Sequence, residues 1–280
     1  MARSPFDNSQ ERSTGDARER AEPSGVLHNQ SILRAVALIG CFIDSGEGKT
    51  LTELSRRTGL NVSTAYRMLQ TLIRTGVLRR NEGEERYFVG PMLLTLAGAT
   101  FSSSGYGLVL DVLRALAEET GESVSLGIRD NDCVAVLLSV PSPQQFRFEH
   151  RAGSRVPIHA SSMGKALLAL ASDNLISTVS DLGQLNVMTP NTMVDVNELV
   201  ADLKRTRERG FGRSDEEHDI GVRSIGVAVQ RGDEIPRAVI GLQGPINRMT
   251  EENISIFAEA VRKASILIAQ LPILDRLPRA

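Results

Sequence analysis

Ser162-Met163-Gly164-Lys165 places a hydroxyl and an amine one helical turn apart. At that S-x-x-K spacing a lysine can help take the serine's proton, which is the chemistry of serine–lysine hydrolases. Ser172-Asp173-Asn174 supplies the S-D-N triplet that accompanies such a pair. Against hydrolysis, the two motifs start only ten residues apart, too close to come from separate elements facing one cleft. No K-T-G follows and no export signal precedes them. Ser162 and Lys165 as nucleophile and base therefore stand as the alternative reading, with Lys165 otherwise a structural or surface cation. Metal chemistry would need His159, His218, Asp215, Glu216, Glu217 and Asp219, and none of these shows the fixed spacing of a metal site. Asp215-Glu216-Glu217 reads as a solvated acidic loop, and His28 and His150 as polar surface residues. Cys41 reads as packing, and Cys133 has no second cysteine nearby for redox work. No metal and no cofactor is expected, and the chain is not read as an enzyme.

A second chemistry is carried by Ser63, Thr64, Arg67, Gln70 and Arg74. At helical spacing these share one side, while Val62, Ala65, Leu69, Leu72 and Ile73 share the other. Hydroxyls, an amide and guanidiniums on one helical face suit the edges and phosphates of a DNA groove. The elements that must hold this face are written around it. Thr50 and Glu53 have capping-box spacing. Leu51 and Leu54 give a preceding short helix its buried side, Gly59 can stop it at positive φ, and Asn61 can cap the next. Gly76–Arg80 and Arg86–Val89 read as strands around a turn at Asn81–Glu85, which is a wing after a helix-turn-helix. Arg79, Arg80 and Arg86 on that wing could meet phosphates, which position without reading sequence.

The charge distribution agrees. The net charge is −2, yet residues 26–100 carry nine Lys and Arg against six Asp and Glu, so the acidic excess lies elsewhere. The 280 residues suit two domains, and 41% hydrophobic with 24% charged content is that of a globular protein. Two cysteines far apart fit a reducing cytoplasm, and no apolar run approaches membrane-spanning length. Residues 1–25 lack any apolar stretch and read as a disordered tail.

Ser31 is expected to cap a first helix with Ile32, Val36, Ile39 and Ile43 as its stripe, widened by Leu33, Leu38 and Phe42. From Pro91 a strongly apolar helix should pack, either against the core of its own chain or in a dimer. Leu108–Thr120 is a further helix. Residues 123–129 and 133–140 form a hairpin across Asp130-Asn131-Asp132, and the alternation around Phe146 and Phe148 suggests a third strand. Helices follow at Met163–Ala171 and Val196–Arg209, then strands at Val222–Gln230 and Arg237–Gln243, then a helix capped by Thr250. Ile225, Val227 and Val229 share one sheet face with Ala238, Ile240 and Leu242, a bulky face that should lie under helices. The opposite face, with Ser224, Gly226, Ala228, Val239, Gly241 and Gln243, is mostly small or polar and either leaves room for a ligand or lets a helix pack closely; Ser224 and Gln243, which bring polar groups to it, favour the ligand.

Taken in order, Ser31-Ile32-Leu33-Arg34-Ala35, Leu51-Thr52-Glu53-Leu54, Thr58-Gly59-Leu60, Ser63-Thr64-Ala65-Tyr66-Arg67, Tyr87-Phe88-Val89-Gly90-Pro91, His159 to Ala169, Arg209-Gly210-Phe211, Asp215-Glu216-Glu217, Gly221-Val222 and Gly244-Pro245 resemble the IclR family of bacterial transcriptional regulators. The resemblance implies an α+β two-domain protein. Its parts are a winged helix-turn-helix over residues 26–90, a linker helix over 91–105 and a GAF-like α/β effector-binding domain with a largely antiparallel sheet over 106–275. It implies double-stranded operator DNA as partner, a homodimer or homotetramer, and a small organic acid or aromatic effector. The DNA-contacting set becomes Ser63, Thr64, Tyr66, Arg67, Gln70, Arg79, Arg80 and Arg86. The effector set implied is Val156, Ser162, Met163, Ser214, Ser224, Gly241 and Gln243. Family members can carry Asp at 214, Cys at 224 and Ser at 241 and 243, so Gly241 here adds space and points to a ligand larger than a two-carbon acid. Asn61-Val62 stands where a proline and a basic residue are usual, and Tyr66 where histidine is frequent.

Overall fold

The structure is a computed structural model that describes residues 29–43, 47–81 and 83–277; the expected tail and His28 lie outside these. Three helices, α1 (Gln30–Gly40), α2 (Leu51–Thr58) and α3 (Val62–Arg74), precede the hairpin β1 (Leu78–Asn81) and β2 (Arg86–Val89). The capping box forms as the sequence requires: Thr50 N donates to Glu53 Oε2 at 2.7 Å and Glu53 N to Thr50 Oγ1 at 3.3 Å. Gly59 stops α2 at φ 67°, and Asn61 caps α3. Leu38, Leu54, Leu69, Leu78 and Tyr87 meet in the small core of this unit. Two expectations are corrected here. Asn29, not Ser31, caps α1, accepting from Ser31 N and Ile32 N. Of the expected stripe only Leu38, part of Ile39 and, just past the helix end, Phe42 meet the core, together with Cys41, while Ile32, Leu33, Val36 and Ile43 stay exposed. Val62 is likewise exposed, since only Ala65, Leu69 and Leu72 of α3 reach the core.

Helix α4 (Pro91–Ser104) begins with proline at its first position, where the missing N–H costs nothing. Its Met92, Leu94 and Leu96 are exposed in the single chain. Gly105 at φ 77° turns the chain into α5 (Tyr106–Thr120). The rest is a six-stranded antiparallel sheet in the order β5-β4-β3-β8-β7-β6. Its strands are β3 (Ser123–Asp130), β4 (Cys133–Val140), β5 (Arg155–Pro157), β6 (Gly212–Asp215), β7 (Val222–Val229) and β8 (Ala238–Pro245). Asn131, at φ 57°, makes the β3–β4 turn. α5 and α9 (Glu251–Ala269) cover the bulky face, where Ile225, Val227, Val229, Ala238, Ile240 and Leu242 are buried. α6 (Ser162–Ala171), α7 (Leu175–Ser180) and α8 (Val196–Arg209) belong to a second core that includes Val239 of the other face. A 3-10 turn, Pro272–Arg276, closes the chain.

The third strand expected around Phe146 and Phe148 does not form. Residues 141–154 are irregular, and the edge strand is the three-residue β5. Pro141 and Pro143 cannot donate to a ladder, which ends β4. β6, four residues with no apolar alternation, and α7, six residues with only Leu175 and Val179 buried at helical spacing, are too short for pattern reading to find.

Candidate DNA interface and ligand site

On α3, Ser63, Tyr66 and Arg67 are exposed, and Thr64 and Gln70 partly so, on the side away from Ala65, Leu69 and Leu72. Arg67 has no ion pair among the described residues. The wing is fastened to the helices by a strand-like bridge: Lys49 N donates to Tyr87 O at 2.9 Å and Tyr87 N to Lys49 O at 2.8 Å. Gly48 lies flat on Phe88, and a Cβ there would stand 2.4 Å from the ring. Arg79 stacks on the same ring with its guanidinium 4.6 Å from the centroid. Arg80 lies over Tyr87 and 3.6 Å from Glu85. Arg86 differs from the other two. It donates to Gly48 O and lies 3.8 Å from Glu53, so it braces the wing against α2.

The ligand side is organised by two rungs of the sheet. Ser214, Ser224, Gln243 and Ser123 are successive partners in register, as are Gly212, Gly226, Gly241 and Ser125, two residues along each strand and on the same face. The glycine rung lies under the first turn of α6. A Cβ at Gly212 would come 2.1 Å from Ser162 O, and one at Gly226 would come 2.6 Å from the same atom. A Cβ at Gly241 would meet Met163 Sδ at 2.8 Å. The space that the small residues were expected to leave is therefore filled along this rung by α6 and the Met163 thioether. The polar rung remains: Ser214 Oγ donates to Ala160 O at 2.9 Å, Gln243 Nε2 donates to Ser125 Oγ at 3.2 Å, and Ser224 is partly exposed. Ser161 caps α6 through Gly164 N. Val156 is buried in the core that Met163 shares. All seven sequence-derived residues thus lie on or under the start of α6 and the sheet facing it.

Lys165 is not on the surface. It is fully buried and donates to both Glu217 oxygens at 2.6 Å, and its Nζ lies 3.0 Å from Asp202 Oδ2. Its protons are directed at carboxylates rather than at Ser162, which removes the geometric basis of the hydrolase reading. Asn174, from the S-D-N triplet, caps α7 instead. The acidic loop is not solvated either. Glu217 is 4% exposed, and burial, opposed by Lys165, raises its pKa. Asp215 makes a bidentate pair with Arg223 at 2.8 and 2.9 Å, and Arg213 beside it also favours the ionised form, so its pKa is lowered despite burial. Glu216 accepts from Gly221 N at 2.7 Å. Among the described residues no group of three or more His, Cys, Asp or Glu is placed to hold a metal ion. Asp202 went unnoticed in the sequence. Its signal was its place among Leu199, Leu203 and Thr206, all buried positions of α8.

His150 also departs from the surface reading. Its ring packs edge-on against Phe148, at 5.5 Å between centroids, and against His218 at 5.8 Å. Burial first, and the His218 ring second, push its pKa down to about 4. His218 bonds in turn to Asp219. His159, by contrast, hydrogen-bonds through Nε2 to Asn186 O at 3.0 Å, and burial lowers its pKa.

Comparison with known proteins gives this geometry its context. Residues 108–270 match the family model described as bacterial transcriptional regulator IclR C-terminal, and residues 31–82 match the IclR helix-turn-helix domain. The chain is 32% identical over 240 residues to the transcriptional repressor IclR of Escherichia coli, covering 84% of this chain and 87% of that protein. It is 32% identical over 246 residues to the HTH-type transcriptional regulator BhcR of Paracoccus denitrificans, covering 88% and 87%. The crystal structure of an IclR transcriptional regulator from Alicyclobacillus acidocaldarius superposes with a TM-score of 0.77 at 25% identity, covering 88% and 99%. An IclR homologue from Microbacterium hydrocarbonoxydans, crystallised with 4-hydroxybenzoate, shares the fold with a TM-score of 0.72 at 22% identity, covering 86% and 98%. No described helix is long and apolar enough to cross a membrane. With both family models matched in order over a winged helix-turn-helix and a helix-covered antiparallel sheet, the chain belongs to the IclR family of bacterial transcriptional regulators and is a DNA-binding regulator rather than an enzyme.

Proposed function

We propose that this regulator acts in the cytoplasm as a homodimer or homotetramer that binds an operator through residues 26–90 and releases or tightens on it when a small organic acid or aromatic compound occupies residues 106–275. The observation that carries the DNA contacts is the polar face of α3: Ser63, Thr64, Tyr66, Arg67 and Gln70 stand clear of the core, and Arg67 is unpaired among the described residues. Arg79 and Arg80 extend this face along the wing as phosphate contacts, while Arg86 braces the wing against α2. The dimer is supported by Met92, Leu94 and Leu96, apolar side chains left in water on α4. The effector reading is supported by the polar rung Ser214, Ser224 and Gln243 and by the first turn of α6 at Ser162 and Met163, whose amides favour an anion; it extends to Val156 and to Gly241, which lies under the Met163 thioether. The Microbacterium homologue holds an aromatic acid, a ligand of the proposed class.

The test is a band shift with a duplex from upstream of the protein's own gene. Arg67→Ala is expected to weaken specific binding by about 1–3 kcal/mol if the guanidinium is bidentate to guanine. Unchanged affinity and base preference would remove Arg67 from the reading set. Loss of the shift on adding a candidate aromatic acid, with Gly241→Leu unresponsive, tests the effector half.

A further inference from the structure

Beside the recognition face, α1 and α3 enclose an open groove of about 470 Å3 that nothing above has used. Its walls are the cap Asn29 with Ser31 and Arg34 from α1, and Thr64, Arg67 and Thr71 from α3, over a floor that includes Ile32 and Met68. Two guanidiniums and four hydroxyl or amide side chains line it, and among the described residues no carboxylate does. Arg34 is exposed and, like Arg67, has no ion pair among the described residues. The groove is also continuous with the DNA-facing surface. On α3, residues 64, 67 and 71 form the row next to 63, 67, 70 and 74, so Arg67 belongs to both. The helix end is not what would attract an anion here, because Asn29 Oδ1 already accepts from Ser31 N at 3.0 Å and Ile32 N at 3.4 Å.

We propose that this groove seats a DNA phosphodiester flanking the major groove read by α3, with Arg34 as its principal ligand. The inference rests on the DNA-binding reading above and adds a contact from α1 to it. The charge argues for this occupant. Two unopposed guanidiniums held apart by short polar residues suit an oxyanion, which arginine meets with a planar fork. A second copy of α1 would bring its own Arg34 into a groove that, among the described residues, offers no acid to pair with it. Ile32, Leu33 and Val36 give such a copy an apolar strip, so it is the competing occupant that the test must separate.

A phosphate contact positions without reading bases, and its loss has a specific signature. The full-length protein and its Arg34→Ala and Arg34→Lys variants are titrated with the upstream duplex and with a scrambled duplex of the same length, across a series of potassium chloride concentrations. For Arg34→Ala the slope of log affinity against log salt should become shallower by about 0.9 for each subunit docked, since each phosphate neutralised releases that much counterion. The fold-loss should be equal on both duplexes, and Arg34→Lys should keep most of the slope. Arg34 has no partner to lose, so the melting temperature should not move. An unchanged slope overturns the proposal. So does a loss confined to the upstream duplex, which would make Arg34 a base contact, or a shift of oligomeric state by light scattering, which would make the groove an interface between copies. If Arg67→Ala is silent as well, the DNA-binding reading of α3 falls with it; if Arg67→Ala weakens binding and Arg34→Ala does not, only this inference falls.

Discussion

Replacing Lys165 by methionine keeps the aliphatic volume and removes one buried charge, and its cost can be worked from the geometry. The ammonium is the shared partner of Glu217, at 2.6 Å from both oxygens, and of Asp202 at 3.0 Å, in a site where both carboxylates are also buried. Arg205 and Arg209 reach Asp202 Oδ1, at 3.4 and 3.5 Å, and Arg209 acts on Glu217 only through space, so they compensate Asp202 in part and Glu217 little. Breaking a buried pair from one side typically costs about 3–5 kcal/mol, because the remaining charge is left desolvated. That is a large share of the roughly 5–15 kcal/mol that holds a domain folded. With a urea m-value of about 2 kcal/mol/M, the midpoint should fall by about 2 M. Glu217→Gln added to Lys165→Met should recover part of the loss. The pH dependence has a fixed sign. The folded pKa of Glu217 is raised above its ordinary 4.5, so its destabilising effect builds as pH rises through the interval between the two values. Without Lys165 the folded pKa climbs further, and the deficit of the variant should therefore shrink as pH is lowered toward 4.5. A loss under about 1 kcal/mol at neutral pH, or a deficit independent of pH, would refute the account of Lys165 as the neutralising centre of this site.

Three further outcomes follow from particular contacts. Gly226→Ala would put a Cβ within 2.6 Å of Ser162 O, backbone that cannot yield like a side chain, so about 1–3 kcal/mol of overpacking and a displaced α6 are expected. The measurements are urea unfolding and effector response, with DNA affinity retained. His150 is held neutral when folded, with a pKa near 4 against 6.5, so the stability it contributes is full above 6.5 and lost as pH falls from 6.5 to 4, by about 3 kcal/mol at most. His150→Phe should flatten that acid limb, as urea midpoints at both ends of the range would report. Leu94→Glu places a charge on the exposed face of α4 and should lower the oligomeric state seen by light scattering while leaving each subunit folded.

Much of the DNA-binding half is local, and so it was legible before any coordinates. A capping box needs residues three apart, a left-handed stop needs a glycine, and a recognition face needs one helical period; Thr50, Glu53, Gly59, Asn61 and the α3 side chains met those conditions within 25 residues of each other. The two faces of β7 and β8 were legible for the same reason, since alternation along a strand fixes which side chains share a side. Which stripe of α1 is core was not, because its apolar residues run nearly all round and only contact with α2 and α3 selects Leu38, Cys41 and Phe42. Lys165, Asp202 and Glu217 are separated by up to 52 residues, so a lone lysine in the apolar run from Met163 to Ala169 can be structural or surface, and Glu217 reads as solvated, until α6, α8 and the loop after β6 bring them into one dry site. The glycines of β6, β7 and β8 follow the same division: their small size was plain in the sequence, but whether it made room for a ligand or for a helix depended on how closely α6 settles on the sheet, and the backbone of Ser162 occupies that space.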